Sequence, residues 1–313
     1  MRILVVCSGN APGFDLQKHQ AFIYDQVDAL EQLDSRIQFD YFFIKRKGFV
    51  GYLSCLGTLV RQLRSTHYTA IHAHVALSAL LANLQRRVPV VSTFHGSDVN
   101  MPLLRLVSFI VDRLSRKTIY VSDALVAKAI YAGNDKRAII PCGVNFDLFI
   151  PRSKELARQQ LNLSGHKRYV LFSSAFDVAV KNYPLAKAAV NLLQDDTIEL
   201  LELKNYSREE VALLFTAVDV ALMTSYSEGS PQFVKEALAC NCPVVSTDVG
   251  DVRQILGDLP GCFITSYEPE EVADCLRLVL ANTQPFESSD RIAQFDNKLI
   301  AQQVLAVYKS IYS

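Results

Sequence analysis

Glu228 and Glu236 stand with seven residues between them in the stretch Ser227-Glu228-Gly229-Ser230-Pro231-Gln232-Phe233-Val234-Lys235-Glu236. A strand ends near Thr224, so the first carboxylate lies in the loop that leaves it. Ser230 suits a helix N-cap and Pro231 the first helical position. Glu236 then falls about one and a half turns inside the helix. The N–H groups of a helix start, with the dipole behind them, form an anion site, and Gly229 lets the backbone approach a phosphate. A carboxylate accepts hydrogen bonds and donates none, so beside an anion pocket its partners are hydroxyls. A diphosphate site flanked by two carboxylates for hydroxyls fits a nucleoside diphosphate sugar. The plainer reading makes both glutamates ordinary solvated residues.

Other residue types narrow the chemistry. His72 and His74 are two apart on a strand and share a face, but no third ligand is recognisable and no metal is expected. The loop Ser8-Gly9-Asn10-Ala11-Pro12-Gly13-Phe14 bears glycines without the G-x-G-x-x-G pattern, so a dinucleotide fingerprint is absent. His95 follows an apolar strand and precedes Gly96; it contacts substrate or caps the Ser97-Asp98 turn. Asp98 is expected to be the N-cap of the next helix or an acceptor contact, and His74 to border a cleft. The seven cysteines are odd in number and sit mostly in apolar runs, which predicts free thiols in a reducing compartment.

Such residues need a scaffold. Short apolar runs at 2–8, 37–44, 69–75, 89–94, 117–122, 138–141, 169–174, 198–203, 218–224, 243–247 and 262–265 alternate with helical patterns. Those helices are expected at 17–33, 52–65, 77–86, 103–115, 123–132, 183–193, 208–217, 231–240, 251–257, 269–282 and 290–312. This alternation predicts an α/β protein with parallel sheets, since parallel neighbours need helical crossovers. So many strands exceed one comfortable open sheet, so two doubly wound Rossmann-like domains are expected, facing across a cleft. The break falls near 146–168, around Pro151 and Gly165. The boundaries expected are 1–147, 148–288 and a terminal helix at 289–313.

The 313 residues are half hydrophobic and one-fifth charged, which excludes a disordered or fibrous chain. Basic and acidic residues are equal at 32 each, which argues against a nucleic-acid binder. The balance hides an asymmetry: residues 1–150 carry 17 basic and 11 acidic side chains. The basic excess is either a set of solvated helix ends or a face for anionic lipid headgroups. No apolar run reaches the roughly 18 residues of a membrane span and the start is too short for a signal peptide. A soluble, cytoplasmic protein is expected.

Four ordered segments carry a resemblance: Ile71-His72-Ala73-His74, Thr93-Phe94-His95-Gly96-Ser97-Asp98, Ile140-Pro141-Cys142-Gly143-Val144-Asn145, and Glu228 through Glu236 with Pro243-Val244-Val245-Ser246-Thr247-Asp248-Val249-Gly250-Asp251. Over nearly its whole length the chain is similar to the retaining glycosyltransferases of GT-B architecture, family 4, and among these to bacterial surface-polysaccharide members such as the teichuronic-acid glycosyltransferases. The resemblance implies transfer of a hexose-type sugar from a UDP- or GDP-sugar to a saccharide or lipid-linked saccharide, without a metal or other cofactor. It implies that 1–147 is the acceptor side, that 148–288 binds the nucleotide-sugar, and that the terminal helix at 289–313 crosses back to the first domain. It implies that Glu228 contacts donor-sugar hydroxyls, Glu236 the ribose hydroxyls, and the backbone of Ser230, Gln232 and Phe233 the diphosphate or sugar. Lys181 would neutralise the diphosphate, His95 would donate to the donor, and Gly13 would approach it closely. The family's arginine shortly before that lysine is replaced here by Ala175 and Phe176. A nucleotide-sugar epimerase on the same plan and a non-catalytic sugar-nucleotide binder remain alternatives.

Overall fold

The computed structural model describes residues 1–130, 135–282 and 284–312. The chain divides into two compact units, Met1–Gly143 with Asn297–Ser313, and Val144–Asp296. In the first unit, β1 (Arg2–Ser8), β2 (Gln38–Ile44), β3 (Ala70–His74), β4 (Val90–Phe94), β5 (Lys117–Tyr120) and β6 (Arg137–Ile139) form one sheet. Their order is β2-β1-β3-β4-β5-β6 and every pair is parallel.

Helices cover both faces of this sheet, so β3 and β4 bury every side chain. Alternate residues serve opposite faces. Ile3, Ala70, Val91 and Ile119 cluster with Leu30 of helix Ala21–Leu33 and with Ile300, Val304 and Tyr308 of the terminal helix Asn297–Lys309. Leu4, Ile71, Val90 and Phe94 cluster instead with Ala79 and Leu81 of helix Ala76–Leu84. The terminal helix therefore completes the core of the unit that begins the chain.

The second unit repeats the plan with β7 (Arg168–Phe172), β8 (Ile198–Leu201), β9 (Val220–Met223), β10 (Val244–Thr247) and β11 (Phe263–Thr265). The order is β11-β10-β9-β7-β8, again parallel throughout. Val170, Phe172, Val220, Leu222 and Val245 meet helices Tyr183–Asn191 and Pro269–Ala281 on one face. Tyr169, Leu171, Ala221, Met223 and Val244 meet helices Arg208–Ala217 and Gln232–Ala239 on the other. All seven cysteines are free thiols.

Each of the strands predicted from apolar runs is present, and several helices differ. The helix expected at 17–33 breaks at Gln20, whose backbone leaves helical geometry while its side-chain amide donates to the Ser8 carbonyl at 3.2 Å. The one expected at 52–65 is two, Gly48–Leu53 and Leu56–Ser65. The stretch 290–312 is interrupted at Asp296, which makes a parallel bridge with Val144. Residues 289–296 thus lie in the second unit. The helix expected at 123–132 spans Asp123–Lys128, and positions 131 and 132 lie outside the described residues. An unforeseen helix, Lys154–Gln160, occupies the expected linker. Ser153 caps it by accepting from the Leu156 amide, and its Lys154 and Arg158 bond Asp219 at 2.6 and 2.9 Å. Asp219 also accepts from the Tyr169 amide at 2.6 Å, so the helix is fastened to the start of β7.

The unit boundaries meet at Gly143. A Cβ there would stand 2.9 Å from the Asn297 Cα and closer still to its side chain. Gly143→Ala should therefore disturb the seating of the terminal helix and cost about 1–3 kcal/mol, the range for overpacking. Urea unfolding compared with Gly165→Ala, whose Cβ meets nothing within 4 Å, checks this; equal midpoints would show the contact to be slack.

Candidate functional site

In a parallel sheet every strand exits at one edge, and ligands bind beyond the carboxyl ends. In the second unit these exits are bonded to one another. The Thr224 hydroxyl, just past β9, donates to the carbonyls of Lys181 and Asn182 past β7, both at 3.0 Å. The Tyr226 amide donates to the Val180 carbonyl at 2.9 Å. From the end of β10 and from past β11, the Thr247 and Tyr267 hydroxyls both donate to the Ser225 carbonyl, at 2.8 and 3.2 Å. The loop bearing Glu228 is thus held from both sides.

Two of the ion pairs on this edge hold the glutamates. Lys181 Nζ meets Glu228 Oε1 at 2.7 Å, and Arg208 Nη1 meets Glu236 Oε1 at 2.8 Å. All four side chains are largely buried, where a charge without a partner is costly. The sequence-predicted lysine and first glutamate are therefore brought together. Arg208, which sequence reading passed over, is placed on the second glutamate; its guanidinium also lies 4.8 Å over the Phe149 ring. A signal was present: Ser207 and Glu210 form a capping box, which puts Arg208 at the first position of the helix that follows β8.

The helix carrying Glu236 starts one residue later than expected. Its N-cap is Pro231, not Ser230, and no side chain caps it. The Ser230 hydroxyl instead accepts from Lys235 Nζ at 3.1 Å. Lys235 is fully buried, with its ammonium 5.2 Å over the Phe295 ring, and that internal donor takes the oxygen a cap would use. The amides of Gln232 and Phe233 head the helix. The Phe233 ring faces the core against Phe215, 5.2 Å away. Gly229 is approached by backbone: a Cβ on Gly250, whose φ is +62°, would sit 2.7 Å from the Gly229 carbonyl oxygen. Beside it, burial pushes the Asp251 carboxyl above its usual range, partly countered by Lys235 and a bond to Ser230.

The first unit places a histidine cluster on β3 and β4. His72 Nδ1 pairs with the Tyr308 hydroxyl at 2.6 Å and Nε2 with the Thr93 hydroxyl at 2.7 Å. His74 Nδ1 pairs with His95 Nε2 at 3.0 Å, and His95 Nδ1 lies 3.6 Å from Cys142 Sγ. Burial pushes His72 down to about 3 and His74 well below its ordinary value, so both are neutral near pH 7. His74 is buried within β3 rather than presented at the surface, because helices cover both faces of that strand.

Asp98 is likewise fully buried and does not cap the next expected helix, which spans Pro102–Leu114 with Met101 as its N-cap; it lies within a short helix, Ser97–Asn100, capped by Gly96. Its carboxylate accepts the Ala76 and His95 amides at 2.6 and 2.7 Å, so it caps helix Ala76–Leu84 and fixes the His95 backbone. Burial raises its pKa against those bonds. Gly13 has φ +59° with open space around it. Among the described residues no group of three or more His, Cys, Asp or Glu is placed to hold a metal ion, and no helix is long and apolar enough to cross a membrane. A cavity of about 660 Å³ lies by Lys154, Asp219, Asn241 and Pro243, near the amino ends of β9 and β10, away from all these residues.

Two doubly wound parallel sheets, one in each unit, define the GT-B architecture. The model of Glycosyltransferase Family 4 matches residues 5–148 and that of Glycosyl transferases group 1 matches 182–298. These two stretches take in most of the chain, which over them is similar to glycosyltransferase family 4. It is 26% identical over 242 residues to a teichuronic acid biosynthesis glycosyltransferase of Bacillus subtilis, covering 68% of this chain and 61% of that protein. It is 25% identical over 299 residues to the D-inositol 3-phosphate glycosyltransferase of Mycolicibacterium smegmatis, covering 79% and 68%. The chain thus spans about three-fifths to two-thirds of the length of these curated relatives. Among solved structures, sucrose-phosphate synthase of Thermosynechococcus elongatus superposes with a TM-score of 0.83 at 17% identity, covering 99% of both chains. Anabaena HepE in complex with UDP-glucose gives 0.75 at 17%, covering 99% of this chain and 100% of that one.

The neutral histidines set a pH response. With its folded pKa near 3 against an ordinary 6.5, His72 binds fewer protons folded than unfolded between those values. Its contribution is therefore present above pH 6.5 and lost as pH falls toward 3. His74 acts in the same direction; the raised carboxyls of Asp98 and Asp251 act oppositely. The thermal midpoint should drop between pH 7 and 5, and His72→Gln should flatten that slope. A slope unchanged in the variant would mean that His72 titrates normally in the folded chain.

Proposed function

We propose that the chain transfers a hexose-type sugar from a UDP- or GDP-sugar to a saccharide or lipid-linked saccharide hydroxyl, with retention and without a metal ion, in bacterial surface-polysaccharide synthesis. The observation that carries this reading is the Lys181–Glu228 pair beside the start of helix Gln232–Ala239. A diphosphate gains negative charge as its bond to the sugar carbon breaks, and a preorganised cation and helix amides stabilise that charge as it develops. Lys181 supplies the cation, with the Gln232 and Phe233 amides beside it. Glu228 accepts from donor-sugar hydroxyls and Glu236 from those of the ribose. His95 donates to the donor sugar or its phosphate.

Retention follows from same-face attack. The acceptor oxygen bonds the anomeric carbon, the bond to the diphosphate oxygen breaks, and the acceptor proton passes to the leaving diphosphate. The polysaccharide setting is supported by the teichuronic acid name of the Bacillus relative, and a uridine donor by the UDP-glucose held by HepE.

A nucleotide at 100 times its dissociation constant should stabilise the fold by about 2.7 kcal/mol. Thermal-shift titration should show this for UDP or GDP, equally with and without magnesium, and Lys181→Ala should weaken it. Glu228→Gln should slow transfer about 100-fold or more while keeping the nucleotide shift. No response to either nucleotide would favour a different role; conversion of donor without acceptor would mark an epimerase.

An inner membrane face is the proposed place of action. On helix Pro102–Leu114, Leu103, Leu106 and Ile110 are 75, 52 and 41% exposed at helical spacing, with Arg113 in its last turn. Buried apolar area and basic residues, at up to about 1 kcal/mol each, together bind anionic surfaces. The protein should pellet with phosphatidylglycerol vesicles at low salt, and Leu103→Ser/Leu106→Ser should release it. Failure of the wild type to pellet removes the membrane step.

A further inference from the structure

We infer that Arg208 is a positioning residue for the donor nucleotide: it holds the Glu236 carboxylate charged and in one orientation, so that the site selects nucleotides bearing ribose hydroxyls over those without them. The inference rests on the donor reading above. Glu236 is 7% exposed, and its Oε1 meets Arg208 Nη1 at 2.8 Å. A buried ion pair is a poor source of stability, since two apolar residues of similar volume often do as well or better. A second local preference is broken at Arg208. It is the first residue of helix Arg208–Ala217, where the dipole favours anions and disfavours a cation. The next two residues, Glu209 and Glu210, obey that preference. Two such departures in one ion pair, at the exit edge of a parallel sheet, mark a functional contact.

Packing fixes where the guanidinium lies. Helices Arg208–Ala217 and Gln232–Ala239 cover the same face of the second sheet, so side chains of one reach the other. The guanidinium rests 4.8 Å over the Phe149 ring; Phe149 stands 6.3 Å from Phe215, and Phe215 5.2 Å from Phe233. Phe233 is the second residue of the helix that carries Glu236. The cation is thus tied through three rings to the helix whose carboxylate it meets. Glu236 lies four residues after Gln232, on the same helix face and about one turn below the helix start. A nucleotide whose diphosphate meets that start can set its ribose beside Glu236. Without a cation a buried carboxylate neutralises, and the neutral form accepts a hydroxyl proton less strongly than the ionised one. Arg208 therefore acts on the ribose through Glu236.

Calorimetric titration of the full chain with UDP and GDP, and with the 2′,3′-dideoxy form of whichever binds, tests this. The wild type should bind the ribonucleotide at least about tenfold more tightly, the scale of hydrogen bonds to a charged acceptor. In Arg208→Met, whose side chain still covers Phe149, that ratio should fall to about one. In Arg208→Lys it should lie between the two, because an ammonium lacks the planar fork that meets the carboxylate while resting on the ring. A purely structural arginine would weaken both nucleotides alike and leave the ratio intact. A wild-type ratio in Arg208→Met therefore overturns the role, as does equal binding of the two nucleotides by the wild type. If Arg208→Met does not fold, an undiminished ratio in Arg208→Lys overturns it. A wild type that binds neither UDP nor GDP defeats the donor reading itself, and the role of the arginine with it.

Discussion

Parallel pairing is the constraint on which the rest depends. Strands running the same way cannot be joined by a tight turn, so each connection spends a helix and every strand leaves by the same edge. In the second unit this brings together groups far apart in sequence: Lys181 after β7, Arg208 after β8, Glu228 after β9 and Thr247 at the end of β10. Hydrogen bonds between neighbouring exits then make one surface of loops that the sheet alone would leave independent. The glutamates have fixed partners because the strands beneath them share a direction.

The two ion pairs explain how this surface stays formed without a ligand. A largely buried carboxylate is costly unless a cation meets it, and removing one partner of such a pair is worse than never having it. Lys181 and Arg208 meet that requirement at 2.7 and 2.8 Å. On the proposed reading, an arriving diphosphate competes with Glu228 for Lys181, so binding exchanges one anionic partner for another. The ground state gains little by such an exchange. The gain grows as the leaving diphosphate accumulates charge, which is where it accelerates the reaction.

The strands were legible because short apolar runs such as Val90–Phe94, bounded by polar turns, are too brief to make a buried helix. Helix ends were less so. Gln20 breaks a helix through a bond to Ser8, and Asp296 through a bridge to Val144, contacts between elements that periodicity does not report. The E-x7-E glutamates and Lys181 were legible as local motifs, whereas Arg208 was hidden, since its meaning depends on β8 lying beside β7. Ser230 looked like a cap because its type and place fit. The buried Lys235 ammonium, drawn inward beneath it, took that oxygen instead. Asp98 was read as capping the helix that follows it, but its carboxylate serves a helix some twenty residues earlier in the chain.

The histidines show how a buried network passes a choice of tautomer from ring to ring. A neutral imidazole has one donor and one acceptor, and His72 engages both nitrogens, with Tyr308 and Thr93. His74 engages Nδ1 with His95, while its buried Nε2 has no hydrogen-bond partner among the described residues. A buried acceptor without a partner is tolerated better than a buried N–H. The proton of His74 therefore belongs on Nδ1, where it is donated to His95 Nε2; the hydrogen-bond network makes this assignment. A neutral His95 that accepts at Nε2 carries its own proton on Nδ1, facing Cys142 Sγ at 3.6 Å. Sulfur is a weak acceptor. The tautomer of each ring is thus set by its neighbour along the row from Tyr308 to Cys142.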